Sequence, residues 1–315
     1  MSIRTIITCV TVIFTLQGCS SIERRIAKKL TSSYVAVHLS GEGANFFEEK
    51  TACIDMDCIN YLYIKANSEQ KKLEEIEHNQ VSITINIDNQ AYPISYNRFD
   101  EYQAFGEKYQ GTVFIFPGFG AANSTMWLYG LWLSDSGFDV IILPSASQMT
   151  SFNFGLDTLP FAHELALEYK PVLTIGASLG FIAALEFSQQ YTSKKLIGLA
   201  PVLEAAPEQL AGYFLQTNWL PWYLTWLNQS NLTTQINQIA IETQTLDILN
   251  NHQSNVMKNL NTTLHINSSN DAVLDQINTP PSMTIDHSHQ LVSSLPFEPV
   301  RHAIRNYFVT DTTQN

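Results

Sequence analysis

Residues 172–180 read Val-Leu-Thr-Ile-Gly-Ala-Ser-Leu-Gly, and they carry the strongest indication of the fold class. The first half of this stretch is β-rich and apolar except at Thr174, which is typical of a buried strand of a parallel sheet. Residues 176–180 match the pattern G-x-S-x-G, which indicates a sharp turn from a strand into a helix. Residues 181–190 follow as the predicted helix. The pentapeptide alone recurs by chance, so the prediction depends on the strand before it and the helix after it.

The turn has a chemical consequence at Ser178. A sharp strand-to-helix turn pushes the serine side chain out at the carboxyl end of the sheet, and glycines on either side remove Cβ clashes. The N–H of Leu179 then points the same way at the helix N-terminus, where partial positive charge favours an oxyanion. Ser178 is therefore the candidate nucleophile, and Leu179 is a candidate oxyanion donor.

Strand and helix patterns alternate on both sides of this turn. The alternation predicts βαβ units with right-handed crossovers, and so an α/β fold with a mostly parallel sheet flanked by helices. Residues 30–105 are predicted to supply leading antiparallel strands, because residues 81–87 alternate apolar with polar. The remaining predicted strands are short apolar runs at 112–116, 138–143, 196–200, 264–267 and 283–285.

Residues 203–260 interrupt the alternation with helix-like, aromatic-rich sequence. An insertion after a strand of an α/β sheet is a natural place for a lid, so we predict a helical lid here. Its aromatic side chains favour an acyl or otherwise hydrophobic substrate. They are Tyr213, Phe214, Trp219, Trp222, Tyr223 and Trp226.

From about residue 105 to 310 the chain resembles the α/β-hydrolases. Residues 114–120 (Phe-Ile-Phe-Pro-Gly-Phe-Gly) resemble the loop after that family's third strand, where the residue after the first glycine donates to the oxyanion. The resemblance assigns that role to Phe119. Residues 144–148 (Pro-Ser-Ala-Ser-Gln) depart from the family, because many members have D-x-R-G-x-G in this loop, which shapes the entrance of the site.

The nucleophile needs a base to accept its proton and an acid to orient that base. In this family both follow the serine, the acid first. His289 is the candidate base, because it follows the last predicted strand and precedes an apolar helix start; His287 is the alternative. Asp271, in the loop after the preceding strand, is the candidate acid. The alternatives for the acid are Asp275 and Glu204.

The resemblance implies a serine hydrolase of the esterase or lipase type. It would cleave an ester-type bond of a small molecule, a carboxylic ester or a lipid or other acyl compound, through an acyl-enzyme on Ser178. No cofactor and no metal are expected. Two alternative functions are compatible with the same fold: an acyltransferase, and a non-catalytic, membrane-anchored binding or scaffold protein.

The N-terminus resembles that of a bacterial lipoprotein. Residues 5–16 form an apolar run too short to span a bilayer, which needs about 20 residues, and are typical of an export signal. The run ends in Leu-Gln-Gly-Cys at 16–19, which resembles a lipobox. This implies lipid on Cys19 after removal of a signal peptide at residues 1–18.

The same resemblance sets the domain organisation and the location. A tether at 19–32 would lead to a hydrolase domain at 33–315. Ser20, where an Asp would stand in inner-membrane lipoproteins, implies the outer membrane, with the protein facing the periplasm. Lipid on the cysteine would make the membrane a partner of the chain.

Export also bears on Cys53 and Cys58. In an oxidising compartment two nearby cysteines favour a disulfide, with free thiols as the alternative. A metal site is disfavoured because no second Cys or His pair stands at ligand spacing.

Composition excludes several classes of protein. The 315 residues are 45% hydrophobic, which argues against disorder, and 4 Cys are too few for a disulfide scaffold. The net charge is −12, so nucleic acid is not the expected partner, since phosphate binding needs a basic surface.

Overall fold

The computed structural model describes residues 38–41, 46–66, 80–87, 90–97, 109–149, 153–191, 195–216, 228–269 and 282–309. The predicted signal peptide and tether, Cys19, Asp271 and Asp275 lie outside these residues. Within the described ranges, no helix is both long enough and apolar enough to span a membrane.

Strands and helices alternate through the second half of the chain, as the sequence predicts. The strands are β1 (His38–Gly41), β2 (Glu48–Ile54), β3 (Asp57–Ile64), β4 (Gln80–Ile87), β5 (Gln90–Asn97), β6 (Gly111–Phe116), β7 (Phe138–Ile142), β8 (Pro171–Ala177), β9 (Leu196–Leu199), β10 (Thr263–Ser268) and β11 (Ser282–Ile285). The helices are α1 (Trp127–Asp135), α2 (Leu159–Tyr169), α3 (Gly180–Gln190), α4 (Pro207–Gln216), α5 (Gln229–Glu242), α6 (Leu246–Lys258), α7 (His289–Ser294) and α8 (Glu298–Val309).

One sheet of eight strands organises the molecule, in the order β11-β10-β9-β8-β6-β7-β3-β2. All pairings from β11 to β7 are parallel, and the β2–β3 hairpin continues the sheet in antiparallel fashion. The mostly parallel α/β architecture predicted from the sequence is confirmed. A second sheet of three antiparallel strands, ordered β1-β4-β5, also comes from the N-terminal part of the chain.

Both faces of the large sheet are buried, which explains the continuous apolar runs. Along β6, Phe114 and Phe116 belong to one core cluster, while Val113 and Ile115 belong to the other. All four side chains are buried. Because side chains alternate along a strand, burial on both faces favours apolar residues at successive positions. Each such side chain contributes about 1.5–3 kcal/mol through burial.

A buried lysine fixes the last helix to the sheet. Lys195 lies just before β9, and its ammonium donates to the carbonyls of Tyr307 (2.5 Å) and Phe308 (2.6 Å) near the end of α8. The final carbonyls of a helix have no partner within the helix and carry partial negative charge, so a cation there is stabilising. The contact compensates for burying the charge.

The predicted lid region is helical in its described parts. Helices α4, α5 and α6 lie between β9 and β10 in the chain, and residues 217–227 are outside the described ranges. Of the six aromatic residues named above, Phe214 is buried in the core and Tyr213 packs against it. These two therefore serve packing, and the lid remains a prediction.

Candidate active site

Ser178 stands in a strained turn between β8 and α3. Its φ is +50°, a left-handed conformation that a non-glycine residue adopts at a cost of about 1–3 kcal/mol. Backbone hydrogen bonds hold it there. The Ser178 N–H donates to Leu199 O (2.9 Å), and the Ser178 carbonyl accepts from the N–H groups of Phe181 (3.1 Å) and Val202 (3.2 Å). The surrounding structure thus stabilises a half-buried serine at the carboxyl end of the sheet.

The two glycines of the G-x-S-x-G pattern are required by close packing. A Cβ at position 180 would lie 2.4 Å from the carbonyl oxygens of Phe116 and Pro117. A Cβ at position 176 would lie 2.6 Å from the Cα of Phe181. Neither distance is compatible with a side chain. The pattern therefore marks the crossing of β8, α3 and the chain that leaves β6.

His289 is hydrogen-bonded to the serine. Its Nε2 lies 2.8 Å from Ser178 Oγ, and it is the first residue of α7, just after β11. The structure thus brings together the predicted nucleophile and the predicted base across the carboxyl end of the sheet. The alternative, His287, is exposed, and its ring stacks on Phe297 at 4.2 Å between centroids.

The acid is not placed by this geometry. Asp271 and Asp275 lie outside the described residues. The remaining alternative, Glu204, accepts a hydrogen bond from Gln253 Nε2 (2.5 Å) on α6. Asp271 as the orienting acid therefore stays a prediction.

A small cavity of about 60 Å³ opens beside the serine. Ser178, His289 and Phe119 line it, together with mostly small side chains. Leu179 directly follows the nucleophile and stands at the N-terminus of α3. Both predicted oxyanion donors are thus adjacent to the serine, one along the chain and one across the cavity. Their donor role stays a prediction.

The loop after β7 holds the loop after β6, a role that the sequence does not indicate. Ser147 Oγ accepts from the Gly120 N–H (2.6 Å), and Ser145 Oγ donates to the Ala121 carbonyl (2.5 Å). The sequence signal was limited to the spacing Ser-x-x-Gln at 145–148, a capping-box pattern around the short 3-10 helix at Ala146–Gln148. That pattern does not indicate what the hydroxyls contact.

Two other histidines lie in the core near the turn. The rings of His252 on α6 and His265 on β10 both meet the Phe181 ring edge-on, at 6.0 and 5.8 Å. Burial lowers the pKa of each imidazole to about 4, since the charged form would lose its hydration. Both rings are therefore neutral at pH 7.

Cys53 and Cys58 form a disulfide across the turn of the β2–β3 hairpin. The hairpin is at the edge of the sheet, and three strands separate β2 from β8. The disulfide is therefore remote from Ser178.

As for metals, the described part of the chain contains no group of three or more His, Cys, Asp or Glu side chains arranged to hold an ion.

Solved structures share this architecture. A mutant of the N-acyl homoserine lactonase AidH, complexed with N-hexanoyl homoserine, is similar with a TM-score of 0.51 and 10% identity, covering 85% of this chain and 98% of that chain. The fold is that of the α/β-hydrolases. No protein-family model and no curated protein matches the chain.

Two further structures have lower similarity. A carboxylesterase of Nitrososphaera gargenis has a TM-score of 0.47 at 10% identity, covering 84% of this chain and 100% of its own. An α/β serine hydrolase without a lid, from Xanthomonas campestris, has a TM-score of 0.45 at 12% identity, covering 83% and 94%.

Proposed function

We propose that the chain is a serine hydrolase that cleaves carboxylic esters through an acyl-enzyme on Ser178. The observation that carries the proposal is the 2.8 Å contact between His289 Nε2 and Ser178 Oγ. A serine hydroxyl is a weak nucleophile until a base within hydrogen-bond reach accepts its proton. The left-handed backbone of Ser178 supports the same conclusion, because strain of this kind concentrates at functional sites.

In the first half of the reaction Ser178 Oγ attacks the ester carbonyl while its proton passes to His289 Nε2. The N–H groups of Phe119 and Leu179 donate to the oxyanion that forms. The tetrahedral intermediate collapses, the bond to the leaving alcohol breaks, and the imidazolium returns its proton to the alkoxide. Asp271 is proposed to accept from His289 Nδ1 and to stabilise the cation.

In the second half water replaces the alcohol. His289 takes a proton from water, the hydroxide oxygen bonds to the acyl carbon, and collapse of the second intermediate breaks the ester to Ser178. The serine recovers its proton from the imidazolium, and a carboxylic acid leaves. An alcohol acceptor in place of water gives acyl transfer by the same steps.

The small cavity favours short acyl groups. A volume of about 60 Å³ is well below the roughly 300–1,000 Å³ of pockets that hold drug-sized ligands. The aromatic-rich insertion predicts an acyl or otherwise hydrophobic substrate. Within that class, the cavity supports esters of short acids.

The test is hydrolysis of a short p-nitrophenyl ester by Ser178→Ala and His289→Gln variants. Each change should lower kcat by about 10⁴-fold or more, because the pair acts as a unit. Ser188→Ala is the matched control: Ser188 lies on α3, the helix that follows the turn, and its hydroxyl donates to Leu185 O (2.8 Å). That variant should keep the parent rate. Equal turnover by folded Ser178→Ala would remove the serine from the mechanism.

A fluorophosphonate probe separates the enzyme from the scaffold alternative. The parent should be labelled on Ser178, and the Ser178→Ala variant should not. A folded parent that resists labelling and leaves the ester intact would favour the non-catalytic binding protein.

We also propose that the chain is exported and lipid-anchored at Cys19, facing the periplasm. The Cys53–Cys58 disulfide supports export, because disulfides persist in oxidising compartments. Labelled palmitate should enter the parent and not the Cys19→Ser variant, which should leave the membrane fraction. Equal labelling of both would contradict the anchor.

A further inference from the structure

We propose that Ser147, assisted by Ser145 and Gln148, is a positioning residue that fixes the oxyanion donor of Phe119. The inference rests on the proposed function and deepens it. We call residues 117–123 the oxyanion loop and residues 144–148 the bracing loop. The bracing loop occupies the segment in which the sequence departs from the α/β-hydrolase pattern.

The central contact is the hydrogen bond from the Gly120 N–H to Ser147 Oγ, at 2.6 Å. Ser147 is only 1% exposed, so water does not replace this acceptor. The Gly120 N–H belongs to the peptide plane that directly follows the Phe119 N–H, and φ of Gly120 is +75°. A fixed plane at Gly120 therefore restricts the direction in which the Phe119 N–H points.

Two further contacts extend the brace along the oxyanion loop. Ser145 Oγ donates to the Ala121 carbonyl (2.5 Å). Gln148 Oε1 accepts from the Asn123 N–H (2.8 Å) of the oxyanion loop. It also accepts from the Ser145 N–H (3.1 Å), a contact within the bracing loop. Backbone groups on both sides of the Gly120–Ala121 turn are thus held by one neighbouring loop.

The opposite side of the oxyanion loop is also confined. A Cβ at position 118 would lie 3.1 Å from Ser178 Cβ, so the loop backbone runs directly against the nucleophile. The Phe119 ring packs edge-on against Phe214, at 5.5 Å between centroids. With the nucleophile on one side and the bracing loop on the other, a small displacement of the loop changes the distance from the Phe119 N–H to the oxyanion.

Loss of the Ser147 hydroxyl leaves the Gly120 N–H buried without its acceptor, and the peptide turns to find another. An oxyanion exists in the transition state and not in the substrate, so the rate of acylation falls while substrate binding is retained. Removing an oxyanion donor outright lowers kcat by about 10²–10³-fold. A displaced donor should lower it less, by roughly 10–100-fold.

The experiment compares Ser147→Ala with Ser134→Ala in the full chain. Ser134 is an equally buried serine on α1 whose hydroxyl donates to a backbone carbonyl, that of Lys65 (2.8 Å), and it does not line the cavity. The readouts are kcat and KM for a short p-nitrophenyl ester, the inhibition constant of a trifluoromethyl ketone, which forms an oxyanion on the serine, and the thermal midpoint.

Ser147→Ala should lower kcat by roughly 10–100-fold, keep KM within about 2-fold, and weaken the ketone by the same factor as kcat/KM. Ser134→Ala should keep kcat while shifting the thermal midpoint at least as far. Ser147→Thr, which retains a hydroxyl, should recover most of the rate. Unchanged kcat in Ser147→Ala, or an equal loss in Ser134→Ala, would overturn the positioning role.

Gln148 provides a second route if Ser147→Ala does not fold, because its side chain is exposed. Gln148→Met removes the acceptor of the Asn123 N–H and should lower kcat and ketone affinity together, whereas Gln148→Glu keeps an acceptor oxygen and should retain both. Equal rates in the two variants would overturn the brace. Failure of the proposed function looks different: the parent itself would be inert, or Ser178→Ala would remain active.

Discussion

Acidification should destabilise the fold through two histidines that are buried in the neutral state. His252 and His265 are 2% and 0% exposed, and burial lowers each pKa to about 4. The Nε2–H of His252 donates to the Val202 carbonyl (2.8 Å), which favours the protonated ring, but the loss of hydration on burial outweighs this contact and lowers the pKa. For His265, no hydrogen-bond partner of either ring nitrogen occurs among the described residues.

The direction and the size of this change in the free energy of unfolding follow from the linkage between proton binding and folding. The unfolded chain binds a proton on each histidine below about pH 6.5, whereas the folded chain does so only below about pH 4. Unfolding therefore takes up protons within this window, and stability is complete above pH 6.5 and is lost as pH falls toward 4. Each histidine should lower the free energy of unfolding by about 2 kcal/mol between pH 7 and pH 5, and by about 3 kcal/mol in full.

The assay is urea unfolding of the parent and of His265→Leu at several values between pH 5 and pH 8. The leucine cannot be protonated and fills the apolar site next to Phe181, so the free energy of unfolding should fall by about 2 kcal/mol less than in the parent between pH 7 and pH 5. His302→Gln, at an exposed position on α8, is the control and should follow the parent. Parallel curves for His265→Leu and the parent would refute the argument, because the histidine would then not be held neutral.

Two more predictions concern the hairpin and the cavity. Replacing Cys53 and Cys58 by serine should lower the free energy of unfolding by about 2 kcal/mol, the loop-closure value for a cross-link of separation 5, and leave kcat unchanged because the hairpin is remote from Ser178. Urea unfolding and ester hydrolysis measure the two effects, and a loss of kcat in the folded double variant would contradict the separation. Among p-nitrophenyl esters, kcat/KM should be highest from acetate to butyrate and should decline by octanoate, because the cavity is small. A steady rise toward octanoate would instead indicate that the aromatic insertion binds the acyl chain.

The parts of the fold that the sequence predicts are those with local signals. An apolar run such as residues 112–116 predicts a strand that is buried on both faces of a sheet, and β6 is buried in this way. The strand-turn-helix around Ser178 can also be predicted from the sequence, because its two glycines are required by close contacts where β8, α3 and the loop after β6 meet. His289 follows from the order of elements once the last strand is recognised.

The parts that the sequence did not predict depend on which distant segments meet. The position of the β2–β3 hairpin beyond β7 is a matter of strand order, for which residues 48–64 carry no local signal. The contact of Ser147 with Gly120 joins two loops that become neighbours only because β6 and β7 are adjacent in the sheet. Likewise, His265 has an ordinary strand pattern around it, and its burial results from packing against α3.

The core and the site are connected by short paths through the backbone. Val202 donates its N–H to the Ser178 carbonyl (3.2 Å) and accepts from His252 with its own carbonyl (2.8 Å). One residue therefore joins the strained nucleophile to a buried imidazole. The left-handed conformation of Ser178 persists only while its neighbours hold it, so the Val202 contacts help to hold the serine in place, while burial keeps His252 neutral. A substitution that weakens the Val202 contacts should therefore affect both the free energy of unfolding and the rate of catalysis.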